Sequence, residues 1–189
     1  MKKCRHCKEP FKPLNAKQKH CLKKECVEAW VLEANQKAWN VEKKRLKEEL
    51  ETVSELTKKT QKHVNDYIRE RDKGKDCISC DKPLKGKFDA GHYFNTTYSN
   101  VRFDENNIFG QCTVCNHRKH GNLIEYQIGI EKRIGGVELF DLHQKAHEKR
   151  TYTKEELRSI TERYKKRTKD LQKQKKELTL QSNNKNKTK

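Results

Sequence analysis

The feature that most constrains this 189-residue chain is the spacing of its eight cysteines, which fall into four close pairs. Two residues separate the cysteines in three of the pairs, and four residues separate them in the other. In an intracellular chain, such pairs are more typical of zinc ligation than of disulfides. Two neighbouring pairs supply four thiolates, which complete a tetrahedral zinc site. The sequence therefore predicts two structural Zn²⁺ sites, the first formed by Cys4, Cys7, Cys21 and Cys26 and the second by Cys77, Cys80, Cys112 and Cys115. His20, beside Cys21, stays open as an alternative ligand of the first site.

Metal ligation also fits the composition, because only 31% of the residues are hydrophobic while 38% are charged. So little apolar material cannot fill a core that runs through the whole chain. No window approaches the roughly 20 apolar residues of a membrane span, and the start at Met1 to Cys4 has no hydrophobic signal segment. We therefore expect no membrane association and no secretion, and predict a cytoplasmic protein.

The formal charge of +18 lies mainly at the two ends of the chain. Residues 1–26 carry nine basic and two acidic side chains, and residues 149–189 carry fifteen and five, whereas residues 76–148 are nearly neutral. Basic arms around a neutral centre suit a polyanion that is held by its backbone. DNA is therefore the predicted partner, and simple solubility is the alternative explanation of the charge.

The positions of Gly and Pro and the changes in composition divide the chain into five segments, for which we predict an α+β fold. Gly and Pro are absent from Leu14 to Lys73, and the residues after Cys26 are mostly good helix formers, so we expect one long charged helix with at most one break. Thr153 and Glu156 form a capping-box pattern that begins a basic helix. The predicted segments are a zinc knuckle at 1–26, the long helix at 27–75, a central core at 76–148, the basic helix at 149–181 and a disordered Asn/Lys-rich tail at 182–189.

An apolar seam on the long helix leaves its role open. Apolar side chains recur at heptad-like spacing, but Gln36, Lys43, Thr57 and Thr60 interrupt them. The seam could pair with a second copy in a homodimer, fold back on the core or lie along a solvated spacer helix. Its members are Leu32, Trp39, Leu46, Leu50, Val53, Val64 and Tyr67.

The residues between and after the last two cysteine pairs are the candidates for chemistry. We expect the second zinc to join the ends of a hairpin that contains Asp89 and His92, with a helix beginning near Cys115. Asn116 and His120 would then lie on one helical face and reach the same divalent cation, Mg²⁺ or Mn²⁺, with Asp89 or a neighbouring hairpin group completing the ligand set. His92 could deprotonate a water for phosphodiester hydrolysis. Its imidazole would be oriented by an asparagine, Asn106 or Asn107.

Each of these residues also has a simpler interpretation. His92 could be a structural histidine of the hairpin, and Asn106 and Asn107 could turn the chain. Asn116 could cap the helix, a common role of asparagine. His117 and His120 could both be exposed to solvent.

These motifs resemble two groups of proteins. The segment from Cys77 to Asn122 resembles the HNH (ββα-metal) nucleases that contain zinc, including the phage endonuclease that resolves branched DNA. More closely, residues 1–145 resemble the lambdoid-phage NinG (Rap) recombination protein family, notably at Phe88–Tyr93, Ile108–Cys112 and Gly121–Tyr126. The resemblance implies a ββα-metal core and cutting of Holliday junctions and D-loops in the host cytoplasm. It gives His92 the first motif histidine, Asn107 the motif asparagine, and Asn116 and His120 the metal ligands. Gly91 stands where the usual motif has a ligand.

The predicted function is therefore that of a metal-dependent endodeoxyribonuclease for branched DNA, with no small-molecule substrate. The catalytic residues would be His92, Asn107 and Asp89, and the ligands of the catalytic cation Asp89, Asn116 and His120. The predicted phosphate contacts are Arg118, Lys119, Lys165, Lys166 and Arg167. The alternative is a non-catalytic zinc protein that binds DNA or scaffolds other phage proteins, which does not require Asp89, His92 and Asn116 to converge.

Overall fold

The computed structural model describes residues 1–185, with side chains described as far as residue 180. The chain divides into two compact units, Met1–Glu51 and Thr52–Lys189. Within the described residues the helices and strands place the protein in the α+β class. None of the helices in residues 1–185 combines the length and apolarity needed to cross a bilayer.

The first unit is built around its four cysteines. Two short strands, β1 (Lys2–Lys3) and β2 (Pro10–Phe11), pair antiparallel and precede helix α1 (Lys24–Leu50). Cys4, Cys21 and Cys26 are the buried members of this unit's only core cluster, and Cys26 is the only buried residue of α1. A cluster of four cysteines thus occupies the centre of this unit, where a larger domain would have an apolar core.

The long helix predicted from the sequence is two helices, α1 and α2 (Val53–Asp72), with the break at Glu51 and Thr52. A capping box begins α2. The Thr52 hydroxyl accepts a hydrogen bond from the Glu55 backbone at 3.2 Å, and the Glu55 carboxylate accepts one from the Thr52 backbone at 2.8 Å. The burial of the predicted seam changes just after this break, since Val53 at the start of α2 is still exposed. Its α1 members are exposed, whereas Val64 and Tyr67 in α2 are buried.

In the second unit an antiparallel hairpin lies between two pairs of helices. Strand β3 (Asp89–His92) pairs with β4 (Ile108–Gln111), with Asp89 opposite Gln111 and His92 opposite Ile108. The helices that follow are α3 (Leu123–Ile134), α4 (Gly136–Ala146) and α5 (Lys154–Lys185). Ile108 packs in a core with α2 and α5, and Phe109 packs in a second core with α3 and α4.

Two buried side chains fix the hairpin from its two faces. Asp72, fully buried at the end of α2, accepts a hydrogen bond from the Gly110 backbone at 2.8 Å. Burial alone would raise the pKa of Asp72, but its hydrogen bonds and its charge pairing with Arg71 lower it overall. On the other face, the Tyr126 hydroxyl donates to the Gly91 carbonyl at 2.6 Å and accepts from the Phe109 backbone at 3.0 Å. The hairpin backbone is therefore held on both sides.

The helix predicted to begin near Cys115 is only one turn long. Val114–Arg118 form a single π-helical turn, and α3 begins only at Leu123. The cause is backbone conformation, because His120, Gly121 and Asn122 have φ values of 50°, 89° and 46°. A right-handed helix cannot continue through residues in the left-handed region. Asn116 and His120 therefore do not share one face of a continuous α-helix.

Helix α5 is part of the second unit's core. The capping box predicted at its start is present, since Thr153 and Glu156 exchange hydrogen bonds of 2.8 and 3.2 Å. Leu157 and Tyr164 are buried against α2. Of the tail predicted to be disordered, residues 182–185 continue α5, and residues 186–189 lie outside the described residues.

Candidate functional site

Both cysteine clusters have a geometry that zinc could occupy. In each set of four, the sulfur atoms all lie within 4.8 Å of one another. The Sγ atoms of Cys7 and Cys21 are 3.8 Å apart, and those of Cys80 and Cys112 are 3.9 Å apart. A tetrahedron with metal–sulfur bonds of about 2.3 Å has edges of about 3.8 Å. The cysteines are free thiols, so both sets could hold a zinc ion as predicted.

Backbone amides support the sulfurs in the same way in both clusters. The Cys21 amide approaches the Cys4 sulfur at 3.3 Å, and the Cys112 amide approaches the Cys77 sulfur at the same distance. His20 is not one of the mutually close ligands of the first set, and its Nε2 lies 3.9 Å from a Glu33 carboxylate oxygen. The first cluster is therefore complete with its four cysteines.

The second cluster joins the segments from which the candidate site is built. Cys77 and Cys80 lie on the turn before β3, while Cys112 directly follows β4 and Cys115 lies in the π-helical turn. The backbone amide of Ile78 also donates to the Gly110 carbonyl at 3.1 Å. The cluster thereby fixes Asn116, the residue after Cys115, relative to the hairpin.

His92 lies at the end of β3, half-buried, on the face that packs against α2. Burial lowers the pKa of His92 to about 4, and the positive charge of Arg102 lowers it in the same direction. The imidazole is therefore neutral at neutral pH. A neutral imidazole can accept a proton, which is the property required of a general base.

The hydrogen bonds of Gln61 determine which nitrogen of His92 carries the proton. Arg102 Nε lies 3.1 Å from Gln61 Oε1, and because arginine only donates, the amide oxygen must face Arg102. The Gln61 amide nitrogen then faces His92 Nε2, 3.2 Å away. An amide nitrogen donates, so Nε2 accepts, and the proton of the neutral ring is on Nδ1. The basic lone pair of His92 is therefore on Nε2.

Asn107 is fully buried and fixes the loop that follows His92. Its Oδ1 accepts from the Phe94 backbone at 2.8 Å, and its Nδ2 donates to the carbonyls of Phe94 and Val101 at 2.9 and 3.0 Å. These bonds engage both ends of the Asn107 side-chain amide. Asn107 therefore fixes the backbone that follows His92 and does not orient the imidazole ring of His92. Asn106 belongs to a turn, where its backbone amide donates to Asp104 Oδ1 at 2.9 Å.

A cavity of about 670 Å³ brings three of the predicted residues together. His92 from β3, Asn116 from the π-helical turn and His120 from the following loop all line it. Aromatic and apolar side chains form much of the rest of its wall, together with the polar Asn95, Thr96 and Gln127; the aromatic and apolar members include Tyr93, Phe94, Tyr98, Leu123 and Ile124. Asn116 and His120 thus meet His92 at one cavity although no helical face joins them.

Asp89 lies outside this cavity wall. Side chains alternate between the two faces of a strand, so Asp89 and His92, three residues apart, project in opposite directions. Asp89 Oδ2 is buried, accepts no hydrogen bond and lies 3.2 Å from His117 Nε2. The structure therefore groups His92 with Asn116 and His120, and groups Asp89 with His117.

Gly91 shows why a ligand is absent from the position before His92. A Cβ atom at Gly91 would lie 2.4 Å from Oε1 of the buried Gln111 side chain. Gln111 Nε2 donates to Ser79 Oγ at 2.7 Å and to the Gly121 carbonyl at 2.6 Å, which holds the side chain there. Gln111 thus fills the space that a side chain at position 91 would need.

The predicted phosphate contacts have different surroundings. Arg118 and Lys119 are exposed next to Asn116, and Lys166 is exposed on α5. Lys165 pairs with Glu162 at 2.7 Å. The Arg167 guanidinium lies 4.3 Å from the centre of the Tyr67 ring and pairs with Glu105, so it joins α5 to α2.

Sequence reasoning missed Gln61 and Arg102, which surround His92, and His143, whose Nε2 is 3.4 Å from the Tyr93 hydroxyl. Gln61 belongs to a charged helix about 30 residues before His92, and no motif distinguishes it there. Of the residues around His92 in this network, the sequence motifs included only Tyr93, which follows His92 in the Phe88–Tyr93 segment. Within the described residues, the cysteine sets are the only groups of three or more Cys, His, Asp or Glu close enough for one metal ion.

Together, these features define a small α+β protein with two tetrathiol clusters and a histidine-lined cavity beside the second. The chain belongs to the NinG family, since the family model described as Bacteriophage Lambda NinG protein matches residues 1–176. The family predicted from the sequence motifs is thus confirmed.

Named relatives agree with this assignment. The chain is 36% identical over 188 residues to Protein ninG of Escherichia phage 933W, an alignment that covers 90% of this chain and 93% of the relative. It is 42% identical over 115 residues to the ninG proteins of Salmonella phage P22 and Escherichia phage lambda, which covers 60% of this chain and 56% of each relative. No solved structure matches the chain.

Proposed function

We propose that this protein is a metal-dependent endonuclease that cuts branched DNA recombination intermediates such as Holliday junctions and D-loops. The main support is the cavity that His92, Asn116 and His120 line together. A base, two candidate ligands and a concave surface are the components that phosphodiester hydrolysis needs. The net charge of +18 suits a nucleic-acid substrate.

In this proposal His92 is the general base. Its low pKa keeps the ring neutral, and its lone pair is on Nε2, where the Gln61 amide now donates. A water molecule that takes the place of the Gln61 amide would give its proton to Nε2. Asn107 holds the adjacent loop, so it keeps His92 at the cavity without taking part in proton transfer.

Asn116 and His120 would hold the divalent cation. An amide oxygen and an imidazole nitrogen are suitable donors for Mg²⁺ or Mn²⁺, which also keep several waters. When bound, the cation would supply positive charge at the phosphate and at the leaving oxygen. Asp89 is the third candidate ligand because its buried Oδ2 has a free lone pair, although it faces His117 rather than the cavity.

Exposed cations would contact the DNA backbone on either side of the cavity. Arg118 and Lys119 follow Asn116 directly, so phosphates bound there would lie near the site. Lys166 is exposed on α5, whereas Lys165 and Arg167 have internal partners. We therefore assign the main contacts with DNA phosphates to Arg118, Lys119 and Lys166.

The test is His92→Ala, assayed for cleavage of a four-way DNA junction with Mg²⁺ or Mn²⁺. We expect the variant to lose roughly 10²–10⁴-fold in cleavage rate, the usual contribution of a general base, while zinc content and junction binding stay unchanged. Asn116→Ala should instead need a higher Mn²⁺ concentration for the same rate. His63→Ala is the matched control, because His63 lies on α2 outside the cavity wall.

Cleavage by His92→Ala at the wild-type rate would contradict the role of His92. A wild-type chain, with both zinc sites filled, that binds junctions but cuts neither branched nor linear DNA would reject the nuclease function. The protein would then be the non-catalytic DNA-binding or scaffold protein that the same cysteines and lysines allow.

A further inference from the structure

The first unit has a groove that the proposed nuclease function does not use. A cavity of about 600 Å³ lies between the loop before Cys21 and the first turns of α1. Three of the apolar side chains that line it are largely exposed, Leu14 at 79%, Leu22 at 70% and Trp30 at 56%. Grouped apolar side chains at a concave surface mark a binding site more often than single exposed ones do.

The rim of this groove, which we name the Trp30 groove, is basic. Arg5, Lys17, Lys19 and Lys37 line it, against the single carboxylate of Glu33. Glu33 pairs with Arg5 at 3.1 Å and with Lys37 at 2.8 Å. No carboxylate oxygen of the described residues lies within 4.0 Å of the Lys17 or Lys19 ammonium. Two lysines are therefore available to an anionic ligand.

The loop that holds these two lysines is already organised. The Leu14 backbone amide donates to Gln18 Oε1 at 2.6 Å, and the Lys17 amide donates to Asn15 Oδ1 at 3.0 Å. Gln18 Nε2 in turn donates to the His20 carbonyl at 2.9 Å, beside the cysteine cluster. A ligand would therefore pay little ordering cost in this loop.

We propose that the Trp30 groove binds single-stranded nucleic acid, with an unpaired base against the Trp30 indole and the neighbouring phosphates on Lys17 and Lys19. Basic grooves with an aromatic platform are the usual way to hold a single strand, because every base has a face that stacks. A duplex hides its base faces and would leave Leu14, Leu22 and Trp30 uncovered. This inference does not depend on the nuclease function.

The two tryptophans of the chain give a direct assay. Both lie on α1, and Trp39 lies outside the groove with 58% exposure. In full-length Trp39→Phe protein, Trp30 is the only indole, and its fluorescence should be quenched when a short oligodeoxythymidine is added. In Trp30→Phe protein, the remaining Trp39 signal should not change. An oligouridine arm tells whether DNA and RNA strands share the groove.

Affinity gives a second measurement. Trp30→Ala should weaken oligodeoxythymidine binding by roughly 5- to 150-fold, the cost of losing one stacking aromatic, whereas Trp39→Ala should leave it unchanged. Lys17→Ala and Lys19→Ala should each flatten the logarithmic salt dependence by about 0.7. Zinc content verifies that each variant is folded.

Wild-type affinity in Trp30→Ala, or an unquenched Trp30 at saturation, would overturn the proposal. Equal quenching by polyglutamate would also overturn it, because the groove would then take an acidic protein segment. None of these results depends on cleavage, so they separate this inference from the nuclease function.

Discussion

At the scale of single residues, the environment of His92 is defined by partners from other parts of the chain. Gln61 comes from α2, and Arg102 follows the short 3₁₀ turn Ser99–Val101. The chain of hydrogen bonds from Arg102 through Gln61 to His92 fixes both the ring's orientation and its tautomer. Gln61 and Arg102 would therefore affect catalysis only by positioning His92.

Gln61→Glu tests this network without any cleavage assay. A carboxylate at the Gln61 position would favour the charged imidazole, so the pKa of His92 should rise from about 4 by roughly one to three units. An NMR titration of the His92 ring signals measures the change. The matched control is Gln174→Glu on the exposed surface of α5, which should leave the titration of His92 as it is. An unaltered pKa in Gln61→Glu would show that Gln61 is not the partner of Nε2.

The same pKa predicts a pH dependence of stability. His92 has a folded pKa near 4 and an ordinary value of 6.5, so the unfolded state binds more protons between these values. Stability is therefore lost as pH falls from about 6.5 towards 4. From pH 7 to pH 5 wild type should lose about 2 kcal/mol more than His92→Gln, which has no titrating ring. Urea unfolding at the two pH values measures this, and equal losses would refute the shift.

Residue types and spacing made His92, Asn116 and His120 candidates, and the structure places all three at one cavity, because these side chains come from short segments next to the second cysteine cluster. The separation of Asp89 from His92 also had a signal in the sequence, since an odd spacing in a strand places two side chains on opposite faces. Gln61 had no such signal. Its contact with His92 results from the packing of α2 on the hairpin, which local sequence does not encode.

At the scale of secondary structure, a capping box in the sequence indicates where a helix starts, whereas residues that adopt positive φ have no comparable signal. Thr153 and Glu156 predicted the start of α5, and Thr52 and Glu55 have the same pattern at the start of α2. The late start of α3 depends instead on three consecutive residues with positive φ, of which Gly121 favours that conformation most and Asn122 adopts it more readily than most residues. Contacts with the hairpin and the cysteine turn hold the chain here, since Gln111 Nε2 donates to the Gly121 carbonyl and the Gly121 amide donates to the Cys115 carbonyl.

Adjacent cations on α5 should separate stability from DNA binding. Arg167 pairs with Glu105 and covers Tyr67, whereas Lys166 is exposed. Arg167→Ala should lower the free energy of unfolding by about 1–3 kcal/mol, because the half-buried Glu105 carboxylate loses its charged hydrogen bonds. Lys166→Ala should change it by less than about 0.5 kcal/mol and should instead weaken DNA binding. Urea unfolding and junction binding of both variants decide the matter, and the reverse order would contradict these roles.

At the scale of the whole molecule, each of the two units has its own tetrathiol cluster. In the first unit the cluster takes the place of an apolar core, whereas the second unit has two apolar cores besides its cluster. The paired cysteines predicted the two clusters from the sequence. The contribution of α5 to the core that it forms with α2 was not predicted, because its narrow apolar stripe is equally consistent with a solvated basic arm. The stripe proved sufficient since α2 presents Leu56 and Val64 to it.

Metal analysis of the purified chain should therefore return about two zinc ions per molecule, one for each set of four thiolates. Cys7→Ala should remove one ion and leave the His92 cavity intact, since the first cluster belongs to the other unit. Cys80→Ala should remove the other ion and disorder the cavity, which the NMR signals of His92 and Asn107 would report. Zinc near zero, with the cysteines paired in disulfides, would contradict both structural sites.

The second cluster also makes the cavity sensitive to redox conditions. Its four sulfurs close a loop in which 31 residues lie between Cys80 and Cys112, and that loop contains both strands, His92 and Asn107. Cys80 and Cys112 are only half-buried, so oxidants can reach them. Oxidation of one sulfur removes a metal ligand, and without the link the loop regains the conformational freedom that closing it had removed. With zinc bound to this cluster, peroxide should therefore release the ion and disorder the cavity, while every residue that lines the cavity remains chemically unchanged.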